Sequence, residues 1–505
     1  MPELSHDLIK ELAKRLNGEL CGANEGLSVS RLIYDSRKVV PGSAFFCIPG
    51  ERTDGNQYVA DAIKSGASLI VTEQKQDISS PILIVNDVRQ ALADFADALY
   101  DHPSKNIRLI GVTGTNGKTT TTHLIERILN KAGNRAGLIG TLGFRTPDFS
   151  EMQEAKHTTP QAPELQEMLT SMLGSKCSHV TMEVSSHSLA LKRVAGCNFA
   201  IAILSNITQD HLDFHKTMDH YWRSKRILFE SLNESCQPNK LALVNLDDHL
   251  ANEFLAVCNS SVRKLTYGFS EAADIQVVSH EWREGRNHIK LATPYGEMSF
   301  SMRLAGKFNI YNVMAAIGAC LHEGISKEQI VQTLTEFDGV PGRFETVSIG
   351  AHGEPLCIVD YAHTPDGLEN VLRTAAGIRK DGSKLICVFG CGGDRDPSKR
   401  PQMGEIAENL ADFVFVTSDN PRTENPQEII AHILTGIKRM KNVEVEADRA
   451  KAIKMAVAQA KPGDIVLVAG KGHEDYQLIM NEVFPFDDRI EVRKALESTL
   501  GAGRS

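Results

Sequence analysis

The stretch RLIGVTGTNGKTTTTHLIE, residues 108–126, constrains this chain more than any other. Ile107, Leu109, Ile110 and Val112 form an apolar, partly β-branched run, and Leu124, Ile125, Ile128 and Leu129 recur at helical spacing. Between them stand Gly114, Thr115, Asn116, Gly117, Lys118 and Thr119, so the order is strand, glycine loop, helix. Glycines let successive backbone N–H groups point at one anion, and the helix N-terminus adds partial positive charge. Lys118 can then reach the β/γ-phosphates of a nucleotide, and the Thr119 hydroxyl can ligate Mg²⁺. The loop is a shortened form, G-x-x-G-K-T, because Val112 stands where the common pattern has its first glycine. GKT alone could be a glycine turn with a solvated lysine; the strand before it and the helix after it point to nucleotide phosphate.

At 505 residues the chain has room for about three domains. A net charge of −9 argues against a general nucleic-acid surface. No apolar stretch approaches the roughly 18 residues needed to span a bilayer, so no membrane insertion is expected. The opening MPELSHDLIKELAKRL reads as an amphipathic helix rather than a signal peptide. Ten scattered cysteines contain no C-x-x-C pair, and Cys387, four residues before Cys391, sits in an apolar strand run. A reduced cytoplasmic protein is expected, without disulfides or zinc.

Residues 1–105 read as a small α/β domain without a catalytic cluster, punctuated by Pro41-Gly42 and Pro49-Gly50. Ser36 and Arg37 lie between strands; on residues alone they are a turn serine and a surface arginine. Residues 106–341 form a second domain in which strands run into polar ends: His179–Met182 into Glu183, Phe199–Leu204 into Asp210 and His211, Leu241–Val244 into Asp247. Alternating strands and helices imply a mostly parallel sheet, with ligands at the carboxyl ends of its strands. Glu183 and His211 would then lie beside Thr119. Either alone is more often structural; together they fit a Mg²⁺ or Mn²⁺ site.

After Gly339-Val340-Pro341-Gly342-Arg343, residues 342–505 repeat the pattern as a second, Rossmann-like doubly wound sheet. Its strand ends carry Asp360, then Gly390 to Asp396, then Asp419-Asn420-Pro421-Arg422, then Gly470 to Asp475. The glycines after Phe389 lack G-x-G-x-x-G spacing, which argues against dinucleotide binding. Arg395, Arg422 and Glu474 put both signs of charge on one edge, which suits either a zwitterionic ligand or a solvated rim.

Taken together, TGTNGKTTT (113–121), HTTP (157–160), EVSSH (183–187), DHLDFH (210–215), YWRSKRILF (221–229), GKFNIYN (306–312), VPGRFE (340–345), DYAHTPDGL (360–368), GCGGDRD (390–396), DNPR (419–422) and GKGHEDYQ (470–477) resemble the ATP-dependent Mur ligases of bacterial cell-wall synthesis. The resemblance covers essentially the whole chain and is strongest to the branch that adds the third amino acid. It implies that the first domain holds the uridine nucleotide of UDP-MurNAc, the second ATP, and the third the incoming amino acid. The implied reaction phosphorylates the terminal carboxylate of UDP-MurNAc-L-Ala-D-Glu, and the amine then displaces phosphate. ATP contacts fall on Gly114 to Thr120, with Asn309, Asn312 and Asp360 at adenine and ribose positions, and with Arg343 approaching the phosphates only after domain closure. Thr119, Glu183, His211 and Lys225 are the implied metal ligands. Lys225 reads from sequence alone as a helix-face lysine; by resemblance it is carbamylated, since an ammonium beside Mg²⁺ would repel it.

Ser36, Thr158, Thr159, Ser185 and Arg193 match contacts to the UDP-MurNAc-dipeptide, with Leu191 replacing a glutamine of some relatives. Arg395, Asp419, Asn420, Pro421, Arg422, Gly470 and Glu474 match the amino-acid site. DNPR marks the meso-diaminopimelate type over the lysine type, because an arginine fork suits a second carboxylate. A folylpolyglutamate synthetase-like ligase lacks the uridine domain and DNPR, and a phosphate-loop NTPase switch leaves the polar edges of the third domain unexplained. A monomer is expected.

Overall fold

The described residues of the computed structural model are 2–50, 53–148, 152–154, 157–480 and 482–501. They form an α/β protein with three main sheets. The first has strands in the order Glu19–Cys21, Ile82–Ile84, Ala67–Thr72, Ser43–Phe46, Arg31–Ile33. Only the Glu19–Cys21 edge is antiparallel. Helix His6–Arg15, capped by the Ser5 side chain, buries Ile9, Leu12 and Ala13, as its amphipathic spacing predicts. Helix Val88–Leu99 lays Val88, Leu92 and Phe95 into the same core.

The second sheet has ten strands. From one edge they run Met298–Met302, Arg286–Ala292, Ile275–Arg283, Val262–Gly268, Lys240–Asn245, Phe199–Leu204, Arg108–Thr113, His179–Glu183, Ala136–Gly140 and Gly143–Arg145. The middle is parallel, and antiparallel strands finish both edges. From the central strand Arg108–Thr113 the chain first crosses to Ala136–Gly140 on one side and later to Phe199–Leu204 on the other. The glycine loop therefore opens at a topological switch point, where parallel sheets bind ligands. Close packing fixes this strand: a Cβ on Gly111 would stand 2.8 Å from the Phe199 ring. Helix Lys118–Lys131 follows the loop, and helix Lys307–His322, buried along most of its length, packs across it.

The third sheet runs Glu345–Val347, Leu356–Asp360, Ile465–Ala469, Leu385–Phe389, Phe413–Val416, Val443–Val445, parallel except for its first strand. A hairpin, Tyr476–Ile479 with Glu482–Pro485, pairs through Ile479 with Arg422. All ten cysteines are free thiols. No helix among the described residues is long and apolar enough to cross a membrane.

A fully buried ion pair ties this third sheet together. Arg449 Nε and Nη2 each donate to the Asp488 carboxylate at 2.7 Å, and its remaining donors reach the Ser418 and Ala469 carbonyls at 3.3 and 3.0 Å. Arg449 thus anchors the ends of two strands whose loops carry Asp419–Arg422 and Gly470–Glu474. Asp488→Ala strands the buried guanidinium and is expected to cost about 3–5 kcal/mol, seen as a lower melting transition of the third domain in calorimetry.

Candidate active site

The glycine loop is closed by its neighbours. Gly114 has φ +139°, and a Cβ there would lie 1.9 Å from Ser205 Oγ. Gly117 has φ +87°, and a Cβ there would lie 2.2 Å from Asn312 Oδ1. Only glycine fits either place. The Thr115 and Asn116 N–H groups donate to the backbone oxygen and side chain of Asn206 at 2.8 and 3.0 Å, which ties the loop to the neighbouring strand end. Lys118 Nζ donates to the carbonyls of Gly114 and Thr115 at 3.0 and 2.8 Å. Thr119 and Thr120 are buried in the first turn of the helix. Burial pushes the Lys118 ammonium below the usual lysine range, against the opposing attraction of Glu183 and Asp210.

Lys225, buried on helix Met218–Ser231, donates from Nζ to the same Gly114 carbonyl at 2.8 Å and lies 4.6 Å from the centre of the Tyr221 ring. Burial, with the Lys118 ammonium beside it, pushes Lys225 well below the usual lysine range. Glu183 ends its strand with 1 % exposure. Its two oxygens accept from the Thr141 backbone N–H at 2.8 Å and the Thr141 hydroxyl at 3.0 Å. His211 sits in a left-handed turn with Nε2 3.2 Å from Asp210 Oδ2, and burial pushes the imidazole down to about 3, so it is neutral at physiological pH.

Thr119, Glu183 and His211 offer a hydroxyl, a carboxylate and a neutral imidazole, which suits Mg²⁺ or Mn²⁺. Among the described residues no group of three or more His, Cys, Asp or Glu side chains gathers into a metal cage. A hydroxyl, a carboxylate and a neutral imidazole are donors that Mg²⁺ could share with phosphate oxygens and solvent.

The third domain already reaches this loop. Arg343 Nη2 donates to the Thr119 hydroxyl at 3.0 Å, and its guanidinium lies 4.4 Å from the centre of the Tyr361 ring. Arg343 thus stands at the first turn of the helix that follows the loop. Two further contacts join the third domain to the second. Asn116 Nδ2 donates to Asp366 Oδ2 at 2.7 Å, and Gln209 Nε2 donates to Asp396 Oδ2 and Ser398 Oγ at 3.1 Å each. Asp360, pushed up to about 6 by burial, accepts from the N–H groups of Phe344 and Ala362 at 2.6 and 2.7 Å. Asn309 and Asn312 lie behind the loop on helix Lys307–His322. Asn312 Nδ2 donates to Asn309 Oδ1 at 3.1 Å, and Asn309 Nδ2 to the Ala305 carbonyl at 2.8 Å.

A cavity of about 1050 Å³ is walled by all three sheets' loops: Ser36 and Tyr58 from the first, His187 and Leu191 from the second, Asp394 and Arg395 from the third. Ser36 opens a short 3₁₀ turn, Ser36–Lys38. Thr159 Oγ1 donates to the Glu183 carbonyl at 2.8 Å and accepts from the Ser185 N–H at 3.1 Å. Arg193 Nη1 donates to the Thr159 carbonyl at 3.1 Å, and Thr158 Oγ1 lies 3.2 Å from Thr141 Oγ1. Thr158, Thr159, Ser185 and Arg193 gather around the Glu183 strand end rather than lining the cavity.

On the third sheet's edge, Asn420 Nδ2 and Lys471 Nζ both donate to Glu474 Oε2, at 2.8 and 3.0 Å. Burial and the neighbouring Asp419 carboxylate push the Glu474 carboxyl up, against the pull of Lys471 and Asn420. Gly470, φ +125°, lies against Asp419: a Cβ there would stand 2.4 Å from Asp419 Oδ2. Pro421 is buried, and a Cβ on Gly393 would meet its carbonyl at 1.9 Å. Arg422 commits Nη1 to the Gly393 carbonyl at 2.7 Å, while Nη2 makes no hydrogen bond among the described residues. Lys471 was not singled out from sequence, although it stands inside GKGHEDYQ. Thr141, Tyr361 and Asp366 also escaped notice: none carries chemistry that marks it until the fold sets it beside Glu183, Arg343 or Asn116.

Fold and site together define a phosphate-loop nucleotide-binding protein whose third domain closes over the loop and over a second, large cavity. Residues 28–100 match the description "Mur ligase family, catalytic domain", 112–320 "Mur ligase middle domain" and 342–472 "Mur ligase, glutamate ligase domain". The UDP-N-acetylmuramoyl-L-alanyl-D-glutamate--2,6-diaminopimelate ligase of Geobacillus thermodenitrificans is 42% identical over 97% of this chain and 99% of its own. That of Gloeobacter violaceus is 46% identical over 94% and 96%. A solved structure of a protein with the same name superposes with a TM-score of 0.67 at 33% identity, covering 93% of this chain and 95% of its own. The chain belongs to the Mur ligase family.

Gly117→Ala forces a side chain into a left-handed backbone and against Asn312. It is expected to weaken ADP binding about 10-fold or more, measured by titration calorimetry.

Proposed function

We propose that this chain is an ATP-dependent ligase. It adds meso-2,6-diaminopimelate to UDP-MurNAc-L-Ala-D-Glu through an acyl phosphate and yields UDP-MurNAc-tripeptide, ADP and phosphate for peptidoglycan synthesis. The observation that supports this reading is a cavity lined from all three domains, together with Arg343 bonded to Thr119 after the glycine loop. Ser36, Leu191 and Arg395 are among the residues lining the cavity, and the ring of His187, another of them, lies 4.7 Å from that of His211. The names of the similar ligases support the same substrates.

A carboxylate is a poor electrophile until one of its oxygens becomes a phosphate leaving group. Phosphoryl transfer spreads charge over several oxygens, so positioned cations carry most of the catalysis. Lys118 and Arg343 supply two of them. Mg²⁺, held by Thr119, Glu183, His211 and a carbamylated Lys225, would supply the remaining charge neutralisation. Adenine and ribose lie toward Asn309, Asn312 and Asp360. Ser36 faces the uridine, and Thr158, Thr159, Ser185 and Arg193 face the sugar-dipeptide. The amino acid lies among Arg395, Asp419, Asn420, Pro421, Arg422, Gly470 and Glu474. There the uncommitted side of the Arg422 fork suits the distal carboxylate, and Glu474 suits the distal ammonium.

The carbamate on Lys225 follows from charge. A buried lysine pushed below its usual range offers a neutral amine, the form that adds CO₂ to give a carbamate and release a proton. The product is an anion where the ammonium would repel metal. Lys225→Ala and Lys225→Arg are both expected to lower kcat about 100-fold or more, since arginine keeps the charge and cannot form the carbamate. Full activity in either variant contradicts this role.

Phosphate release tests the whole reading. With UDP-MurNAc-L-Ala-D-Glu and meso-diaminopimelate the enzyme is expected to turn over ATP, with little release when either is left out. Release without both, or faster release with L-lysine than with diaminopimelate, overturns it.

A further inference from the structure

The amino-acid edge and the phosphate loop are joined by a short chain of packed groups. Arg343, bonded to Thr119, lies over the Tyr361 ring at 4.4 Å. The Tyr361 ring centre is 5.0 Å from that of His473, the residue before Glu474. Glu474 in turn holds Asn420 and Lys471. His473 Nδ1 is enclosed without a hydrogen-bond partner among the described residues, so packing on Tyr361 rather than that nitrogen sets the ring's place.

The backbone runs alongside. A Cβ on Gly342 would lie 2.1 Å from the His473 backbone nitrogen, and one on Gly472 would lie 2.6 Å from the Gly342 carbonyl oxygen and 2.7 Å from Tyr361 Cβ. Backbone packed this tightly leaves no room for a side chain at either glycine and seats the Gly470–Glu474 loop on the Gly342–Arg343 link. Where the ligands of two sites favour the same arrangement of such elements, each raises the other's affinity by the same factor.

We propose that Tyr361 is a positioning residue that makes the amino-acid site and the nucleotide site fill cooperatively, by holding the Arg343 guanidinium and the His473 ring against one aromatic surface. This rests on the ligase reading for the identity of the two ligands. Tyr361 touches neither reacting atom; it acts through Arg343, whose guanidinium must face the phosphates, and through His473, whose loop carries Glu474. When the distal ammonium of the amino acid fixes Glu474, His473 and Tyr361 fix Arg343 over the loop. The aromatic face does this work, not the hydroxyl.

The test is titration of a non-hydrolysable ATP analogue into protein saturated with UDP-MurNAc-L-Ala-D-Glu, with and without meso-diaminopimelate. In the wild type the amino acid is expected to lower the analogue's Kd about five-fold or more, and Tyr361→Phe is expected to keep that ratio. Tyr361→Leu keeps apolar bulk without the π face and is expected to bring the ratio close to one, with a melting temperature near that of the wild type. If Tyr361→Leu melts early, His473→Leu decides the matter from the other side of the contact, with the same expected loss. A wild-type ratio of one, or a wild-type ratio retained in a folded leucine variant, overturns the proposal. Coupling seen with L-lysine and not with diaminopimelate supports the proposal while overturning the substrate assignment.

Discussion

Two lysine side chains converge on one backbone carbonyl. Lys118 and Lys225 both donate to Gly114, at 3.0 and 2.8 Å, and Arg343 adds a guanidinium at the adjacent Thr119. Burial and the neighbouring Lys118 charge disfavour the charged form of Lys225. In the ligase reading proposed above, a nucleotide triphosphate would bring negative charge on one side and a carbamate on Lys225 on the other. Glu183 and Asp210 offset part of the repulsion at Lys118. The rest of the structure follows from having to hold these groups this close. Glycine is needed at 114 and 117, and the strand ends at Asn206 and the helix at Asn312 press the loop into shape.

The third domain completes the site rather than merely covering it. Arg343 comes from the link between domains, and its neighbour Gly342 is fixed by the Glu345 carboxylate at 2.7 Å and by close packing on His473. The cavity that ends at Arg395 begins at Ser36, so a substrate lying in it touches all three domains. In the proposed reaction, binding energy from a remote uridine would in this way orient the substrate's carboxylate. Buried Arg449 plays the equivalent part beneath the amino-acid edge, fixing two strand ends at once.

Much of this was legible in the sequence. Strand runs such as Phe199–Leu204 and Ile465–Ala469 lie where apolar β-branched residues bounded by polar clusters place them. The strand-glycine-helix order located the phosphate loop, because the chemistry and the local fold share the same residues. The less legible features depend on contacts between distant segments. Lys471 is fully buried against Glu474 and Asn420, and a lone lysine in a glycine-rich loop gives no sign of that. Thr141 becomes a support for Glu183 only because the Ala136–Gly140 strand ends beside the His179–Glu183 strand. The contact of Arg343 with Thr119 joins residues 224 positions apart, and that of Asn116 with Asp366 joins residues 250 apart.

Acyl-phosphate chemistry is tested most directly by the fate of one oxygen atom. If the loop phosphorylates the substrate's carboxylate, that carboxylate gives up an oxygen to the released phosphate. UDP-MurNAc-L-Ala-D-Glu carrying heavy-isotope oxygen in the carboxylate to be joined should therefore yield phosphate with one labelled oxygen per turnover, read by mass spectrometry. Phosphate released without label would mean that water attacks ATP directly, and would contradict the ligase mechanism.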